Sequence, residues 1–412
     1  MIFSRTTALS AVLAASCATA AFADCGIQSG RVSILSNDFT ALQAIAAGAE
    51  ECASGTVTVT KNQTTEHRDI QVAALTANPA EYTTAVVTNS SIVPLMNDGL
   101  IRTLEDLIAA HAPDLPKLNQ ITVDGKVMAV AFMANAQHLF LRKDILEQVG
   151  REAPATYEEL LDTLEAIRAA GIMEHPFAMN TATGWNLGEE FVNMYMGMGG
   201  ELFAPGTAEA TINNAAGLAT LDMLAKLNTY ANPDFLTFDS NATQALWESG
   251  QLAAAYMWGS RGGGILDAEG SSPEVVENTM LVAAPIVNGG NIPASTLWWD
   301  GFTIAANISD EDATATFIAM MNGLRPEIVT ANNDATVWLM AGYTPGLAAA
   351  GVAATAQGGA KPYPMLPYAG LLHSALGAEI TQFLQGTESA EQALADVEAA
   401  YNAAAKEQGF LK

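Results

Sequence analysis

The segment at residues 123–161 restricts the possible folds of this chain more than any other. It begins with an Asp-Gly turn and continues as two apolar runs, 126–132 and 138–141, which predict two strands separated by a polar break. A short helix follows, and a second helix begins at Thr156, which forms a predicted capping box with Glu159 three residues later. This succession of strands and capped helices indicates an α/β chain.

The same segment resembles the hinge region of family 1 extracellular solute-binding proteins, the sugar-binding subunits of ABC importers. The residues that carry the resemblance are Asp124, Gly125, Lys126, Asn135, Arg142, Lys143, Asp144, Gly150, Pro154, Thr156, Glu159 and Leu160. Ala131 departs from the pattern, because the family often has proline before the aromatic residue at this point. The resemblance implies a two-lobed α/β periplasmic-binding-protein fold, type II-like, with a mostly parallel sheet flanked by helices in each lobe.

Three later elements extend the resemblance. They are the strand 251–258 with the glycines after it, the Trp-Trp-Asp-Gly run at 298–301, and the Gly-Tyr-Thr-Pro loop at 342–345. The resemblance implies that the chain crosses between the lobes several times, with a hinge at 132–137 and Pro285. The implied division gives lobe one residues 24–134 and 285–322, and lobe two residues 137–284 and 323–412.

Strands and helices also alternate before the hinge segment. Apolar runs at 31–35, 56–61 and 84–87 predict strands, and each run is followed by polar residues. This order predicts a mostly parallel sheet, whose ligands bind beyond the carboxyl ends of the strands. The polar residues there are candidate binding residues, and ordinary loop polarity is the alternative explanation. They are Asn37, Thr64, Glu66 and Asn89.

Residues 1–23 have the composition of a secretory signal peptide. Arg5 supplies the positive end, an apolar stretch rich in alanine follows, and Ala-Phe-Ala at 21–23 is a cleavage signal. We therefore expect a periplasmic protein whose mature chain starts at Asp24. A single-span anchor and a lipoprotein processed at Cys17 are the alternatives. The apolar stretch is short for a membrane span, and the residues before Cys17 form a poor lipobox.

Two cysteines, Cys25 and Cys52, remain after the signal peptide is removed. In an oxidising compartment they form one possible disulfide, which would close a loop of about 27 residues. The chain-entropy model gives such a crosslink about 3 to 4 kcal/mol of stabilisation. A pair of buried free thiols is the alternative.

The chain is strongly acidic, with a formal net charge of −27. Removal of the signal peptide, whose only charged side chain is Arg5, leaves 16 basic against 44 acidic residues. This charge disfavours binding to nucleic acids or anionic membranes, and it argues weakly against a strongly anionic ligand. The acidic residues are spread over the helices, so solubility explains them better than attraction of a substrate.

A sugar presents C–H faces and hydroxyl edges, so its binding site needs aromatic platforms beside polar groups. Several aromatic residues fall in predicted loops or at strand ends, although core packing is an alternative role for each of them. Trp298 and Trp299 would point to opposite faces of a strand, so only one of them can face the cleft. The predicted ligand-binding residues are Trp258, Asp300, Trp299, Tyr343, Trp185 and Arg261, with Asn37, Thr64, Glu66, Asn89 and Asn135 from lobe one.

These features predict a monomeric solute-binding protein that delivers a carbohydrate or a polyol to the membrane permease of an ABC importer and needs no cofactor. A sugar acid paired with Arg261, or another small osmolyte, would suit the same architecture. The rival class is a secreted carbohydrate-active hydrolase, with Asp300 and either Glu66 or Glu189 as its carboxylate pair. No catalytic signature surrounds these carboxylates, and the five histidines are scattered.

Overall fold

The computed structural model describes residues 25–287 and 289–412, and the predicted signal peptide, Cys17 and Asp24 lie outside these described residues. The strands are β1 Gly30–Ser36, β2 Val57–Gln63, β3 Thr84–Thr88, β4 Gln120–Val123, β5 Lys126–Asn135, β6 Gln137–Arg142, β7 Phe177–Met179, β8 Ala254–Trp258, β9 Thr279–Val282, β10 Thr296–Phe302, β11 Val337–Trp338 and β12 Lys361–Pro362.

The α-helices are α1 Thr40–Glu50, α2 His67–Thr76, α3 Ile92–Asn97, α4 Glu105–His111, α5 Lys143–Gln148, α6 Tyr157–Ala169, α7 Trp185–Gly197, α8 Ala215–Asn228, α9 Ser240–Glu248, α10 Gly262–Ile265, α11 Pro273–Asn278, α12 Asp310–Gly323, α13 Pro326–Ala331, α14 Ala350–Gln357, α15 Ala369–Leu384 and α16 Ala390–Glu407. Short 3₁₀ turns lie at Lys117–Asn119, Phe235–Thr237, Gly259–Arg261, Asn333–Ala335 and Leu347–Ala349. Among the described helices, none combines the length and the apolar content that crossing a bilayer requires.

The first sheet has the strand order β11-β5-β10-β3-β1-β2, and β4 and β12 pair with β5 and β10. β1 runs parallel to β2 and β3, whereas β10 runs antiparallel to β3 and β5. The sequence predicts a mostly parallel sheet, and the observed sheet is mixed. The reason is that β5 and β10 carry the chain between the lobes in opposite directions, so they pair without a helical crossover.

The second sheet has the order β7-β8-β6-β9. β6 runs antiparallel to β8 and β9, and β7 runs parallel to β8. This sheet is therefore also mixed. The helices α7, α8, α15 and α16 pack with one another in the same lobe.

Each sheet has its own hydrophobic core, and the two cores define the two lobes. The first core draws its buried side chains from residues 32–133 and 302–338, and the second from 139–298 and 363–405. The chain passes between the lobes directly from β5 to β6 and again within β10. The two-lobed α/β fold expected from the resemblance is present.

The lobe boundaries differ from the expected division in two places. Ala294 and Trp298, expected in lobe one, lie in the second core, because the chain returns within β10 and not at Pro285. Val329 and Trp338, expected in lobe two, lie in the first core. The reason is that α13 follows α12 directly and packs on α1, so the chain leaves the first lobe only after β11.

Two local predictions are confirmed at residue level. The hydroxyl of Thr156 accepts a hydrogen bond from the backbone N–H of Glu159 at 3.1 Å, and the Glu159 carboxylate accepts one from the Thr156 N–H at 3.2 Å, which completes the capping box. Cys25 and Cys52 form a disulfide that ties the chain before β1 to the end of α1.

Candidate ligand-binding site

A cavity of about 90 Å³ lies between the two lobes, and side chains from both lobes line it. Asn37, Thr65 and Thr88 reach it from the carboxyl ends of β1, β2 and β3, where ligands of α/β sheets bind. A water molecule needs about 10 to 15 Å³ of such volume, so the cavity holds several waters or one compact solute.

Three tryptophans form one side of the cavity, and we call Trp185, Trp258 and Trp298 the indole wall. The rings of Trp185 and Trp258 stack with centroids 6.2 Å apart, and Trp298 meets both of them edge-on at 5.6 and 5.7 Å. Trp185 is the first residue of α7, Trp258 is the last of β8, and Trp298 lies within β10. The wall therefore combines three separate elements of the chain.

Asp300 lies on the same face of β10 as Trp298, because alternate residues of a strand point the same way. Its carboxyl group is buried and accepts no hydrogen bond from the described residues. Burial raises the pKa of Asp300 to about 7, and the nearby positive charge of Arg68 opposes that rise. The cavity therefore contains a carboxyl group that has no hydrogen-bond donor in the part of the chain that the structure describes.

Arg68 in α2 extends from the first lobe to the indole wall of the second. Its guanidinium carbon lies 4.0 Å from the ring centroid of Trp185, which is a cation–π contact across the cleft. Burial lowers the pKa of Arg68, although Asp300 and Glu189 oppose this effect. Its Nε is buried and has no acceptor among the described residues, so the guanidinium has donor capacity left for a ligand.

Arg261 also borders the cavity, but its guanidinium already has partners within its own lobe. It donates to the side-chain oxygens of Asn241 at 2.8 Å and Gln244 at 3.2 Å. Burial lowers the pKa of Arg261 to about 10, and Asp239 and Asp38 oppose that shift. Arg68 is therefore the arginine with more unused donors.

Asn135 joins the lobes at the end of β5. Its side-chain oxygen accepts from the backbone N–H of Ser260 at 3.2 Å, and its Nδ2 donates to the Ser260 hydroxyl at 3.2 Å. These two bonds fix the first crossing segment to the turn after β8. Among the described residues, no group of three or more His, Cys, Asp or Glu side chains is arranged to hold a metal ion.

The family model of bacterial extracellular solute-binding proteins matches residues 35–323 of the chain. The chain belongs to this family. A probable ABC transporter-binding protein of Deinococcus radiodurans is 27% identical over 212 residues, which are 48% of this chain and 47% of that protein. The chain thus spans about half the length of this curated relative.

Solved structures share the fold of this solute-binding protein at low sequence identity. The solute-binding protein of Agrobacterium radiobacter K84 in complex with ribitol has a TM-score of 0.77 and 20% identity, covering 90% of this chain and 97% of its own. The solute-binding protein of Agrobacterium vitis S4 with bound D-mannitol has a TM-score of 0.76 and 17% identity, and the match covers 92% of this chain and 99% of that protein. Maltose-bound MalE3 of T. maritima has a TM-score of 0.76 and 17% identity, and the match covers 90% of this chain and 99% of that protein.

The structure brings six of the predicted site residues of this solute-binding protein together around the cavity. They are Trp258, Asp300, Trp185, Arg261, Asn37 and Asn135. The aromatic, charged and amide side chains expected for a solute site therefore meet at one place between the lobes.

The other five predicted residues lie outside the cavity lining. Trp299 and Tyr343 are partly buried and pack against the first core. Asn89 braces β10, because its side-chain oxygen accepts from the Trp299 N–H at 3.0 Å. Thr64 accepts from the backbone N–H of Glu66 at 3.2 Å, and Glu66 itself is exposed before α2.

Several lining residues are not predicted by the sequence, and of these Trp298 and Arg68 contribute most to the chemistry of the cavity. For Trp298, the strand alternation shows that one of two adjacent tryptophans faces the cleft but not which of them does. Arg68 directly follows the polar residues after β2, so its position was the available signal. The remaining missed residues are Phe39, Thr65, Asp69, Thr88, Asn186, Asp239, Ser240 and Ser260.

Proposed function

We propose that this protein captures a compact neutral carbohydrate or polyol between its lobes and delivers it to the membrane permease of an ABC importer. The observation that carries the proposal is the convergence of the indole wall, the Asp300 carboxylate and the Arg68 guanidinium on one small cavity. The low-identity structural neighbours that carry ribitol, D-mannitol or maltose support this choice of ligand class.

The chemistry of the cavity suits a hydroxyl-rich solute. The carbon skeleton would pack its C–H groups on the indole wall, while hydroxyl groups donate to Asp300 and accept from Arg68. Hydrogen bonds to a charged group are stronger than neutral ones, so these two contacts would fix the orientation of the ligand. The volume of about 90 Å³ favours a solute of monosaccharide or alditol size over a long oligosaccharide.

Ligand capture would proceed by closure of the lobes around a hinge at Asn135 to Gln137 and within β10. Arg68 and the indole wall belong to different lobes, so a ligand that contacts both gains affinity only in the closed form. Such differential affinity shifts the open–closed equilibrium toward closure. The closed form would then dock on the permease, in the periplasm if the predicted signal peptide operates.

We further propose that the protein returns its ligand chemically unchanged. A glycoside hydrolase needs two carboxylates within about 10 Å of each other on either side of one bond. Asp300 borders the cavity, but Glu66 is exposed before α2, and Glu189 lies behind the indole wall, where it accepts a hydrogen bond from Trp298. Neither of the two carboxylates considered as a partner for Asp300 therefore lines the cavity.

A sugar acid is the second candidate ligand. The observation that favours it is the buried Nε of Arg68, which has no acceptor among the described residues and suits a carboxylate. The unpaired carboxyl group of Asp300 opposes an anionic ligand, because like charges in one small cavity repel.

A thermal-shift and calorimetric screen of the mature protein tests the proposed function. The panel contains pentitols, hexitols, monosaccharides, maltose and aldonic acids, with chromatography of each sugar after incubation. We expect a neutral compact polyol or monosaccharide to raise the melting temperature and to be recovered intact. Stabilisation by aldonic acids alone would favour the second candidate, and consumption of maltose would identify a hydrolase.

Two matched tryptophan variants locate the binding site in the same assay. Trp258→Ala removes part of the indole wall and should weaken binding by about tenfold to a hundredfold, which corresponds to a loss of about 1.4 to 2.8 kcal/mol of binding free energy. Trp299→Ala removes an indole that lies outside the cavity lining and should leave the affinity within about threefold of wild type. Equal losses in both variants would contradict the proposed site.

A further inference from the structure

A buried carboxyl group lies directly behind the indole wall. Glu189 in α7 is fully buried, and its Oε1 accepts hydrogen bonds from the indole Nε1–H of Trp298 at 3.0 Å and from the hydroxyl of Thr296 at 2.8 Å. Its other oxygen, Oε2, is buried without a hydrogen-bond partner among the described residues. Glu189 follows Trp185 by one helical turn, so both side chains lie on one face of α7.

A second polar side chain, His373, packs against Trp185 of the indole wall. The ring of His373 stacks on Trp185 with centroids 4.8 Å apart, and its Nε2 lies 2.7 Å from the Trp185 carbonyl oxygen. Because that oxygen can only accept, Nε2 carries the proton, and Nδ1 accepts from the Tyr363 hydroxyl at 3.0 Å. The Glu189 Oε2 lies 3.9 Å from the same Nδ1, so the two groups stand side by side behind the indoles.

Burial of a carboxyl group in a core costs free energy, and an apolar side chain would fill the same space more cheaply. Burial raises the pKa of Glu189 to about 8, which keeps the group largely uncharged at neutral pH. An uncharged carboxyl group in this position still offers an acceptor oxygen to the Trp298 indole N–H, beside the Thr296 hydroxyl at 2.7 Å. Its geometry therefore points to a role in orienting that ring.

We propose that Glu189 is a positioning residue, which fixes the Trp298 indole in its orientation toward the ligand cavity. It accepts from the indole Nε1–H and from the Thr296 hydroxyl, which is itself a second acceptor of that N–H at 2.7 Å. His373 stabilises the Trp185 ring of the same wall. The ligand-related part of this role rests on the proposed function, but the orientation of Trp298 is a property of the ligand-free protein.

Proton–nitrogen NMR of the ligand-free protein tests the proposal through the indole resonances, with the Trp298 signal assigned from its loss in Trp298→Phe. Glu189→Leu keeps the volume but removes one of the two acceptors of the indole N–H and leaves the Thr296 hydroxyl. In this variant we expect the Trp298 signal to shift and to exchange faster with solvent. Glu189→Gln keeps an acceptor oxygen and should leave the signal close to its wild-type position.

Glu190 provides the matched control. It is equally buried on α7, but its Oε1 accepts from Gln137 at 3.1 Å and from no indole. A purely structural role predicts that Glu189→Leu and Glu190→Leu disturb Trp298 alike, whereas the positioning role predicts that only Glu189→Leu does. An unmoved Trp298 signal in Glu189→Leu, or an equal shift in Glu189→Gln, would overturn the proposal. Because no ligand is added, this outcome is independent of whether the solute screen succeeds.

Discussion

Asp300 and Arg68 carry opposite charges and line one cavity, where Asp300 is buried and Arg68 is half-buried. Neither charged group has a hydrogen-bond partner among the described residues. Leaving such groups unpaired is costly, so natural proteins tolerate it mainly where a ligand supplies the missing partners. At the residue scale, these two groups therefore support the proposed binding site.

The raised pKa of Asp300 gives a prediction for stability against pH. An ordinary aspartate has a pKa near about 4, whereas burial raises the pKa of Asp300 to about 7. The folded state thus holds this proton more tightly than the unfolded state. The contribution of Asp300 to the free energy of unfolding therefore falls as the pH rises from about 4 to about 7, and it stays constant above that range. In Asp300→Asn this loss disappears, so the variant should gain melting temperature relative to wild type across that interval.

Thermal unfolding of the ligand-free protein between pH 4 and 8 measures this difference. Asp114→Asn changes an exposed aspartate and serves as the control for the loss of one negative charge. If the wild type and Asp300→Asn follow parallel curves over the whole interval, the burial of an unpaired carboxyl group in the cavity is contradicted.

At the scale of single elements, β10 does most to form the site. It pairs with β3 and β5 in the first sheet, and its alternating residues place Trp298 and Asp300 on the cavity side and Trp299 on the other. The sequence predicted that successive side chains alternate between the two faces, but not which face borders the cavity, because protein covers both faces of this strand. Only the packing of the two lobes decides which face borders the cleft.

The disulfide between Cys25 and Cys52 gives a prediction for the first lobe. Their sequence separation is 27 residues, for which the chain-entropy model gives about 3 to 4 kcal/mol of stabilisation. Replacing both cysteines by serine should lower the free energy of unfolding of this lobe by that amount. Neither cysteine lines the cavity, so solute affinity should change little. Urea unfolding of the wild type and of the double serine variant, each with and without reductant, measures the effect. Equal unfolding curves for the oxidised wild type and the variant would contradict it.

For the whole molecule, the sequence was sufficient to predict two lobes, because the resemblance of residues 123–161 identifies the first crossing segment. It did not locate the later crossings. Ala294 and Val329 have small or aliphatic side chains that suit either core, so the residue type does not show to which lobe each belongs. The site was predictable where aromatic or charged residues follow a strand, as at Trp258. It was not predictable for Arg68, which lies inside α2, or for Trp298, because the strand alternation leaves open which tryptophan faces the cleft.

A solute that binds between the lobes, as we propose, packs on the indole wall and takes its polar contacts from Arg68 and Asp300. A crystal structure of the mature protein with the solute that the screen identifies tests this most directly. We predict a closed molecule whose ligand packs on Trp258 and Trp298 and has hydroxyl oxygens within about 3 Å of the Arg68 guanidinium and the Asp300 carboxylate. A solute bound anywhere else, or one that contacts a single lobe, would contradict the account.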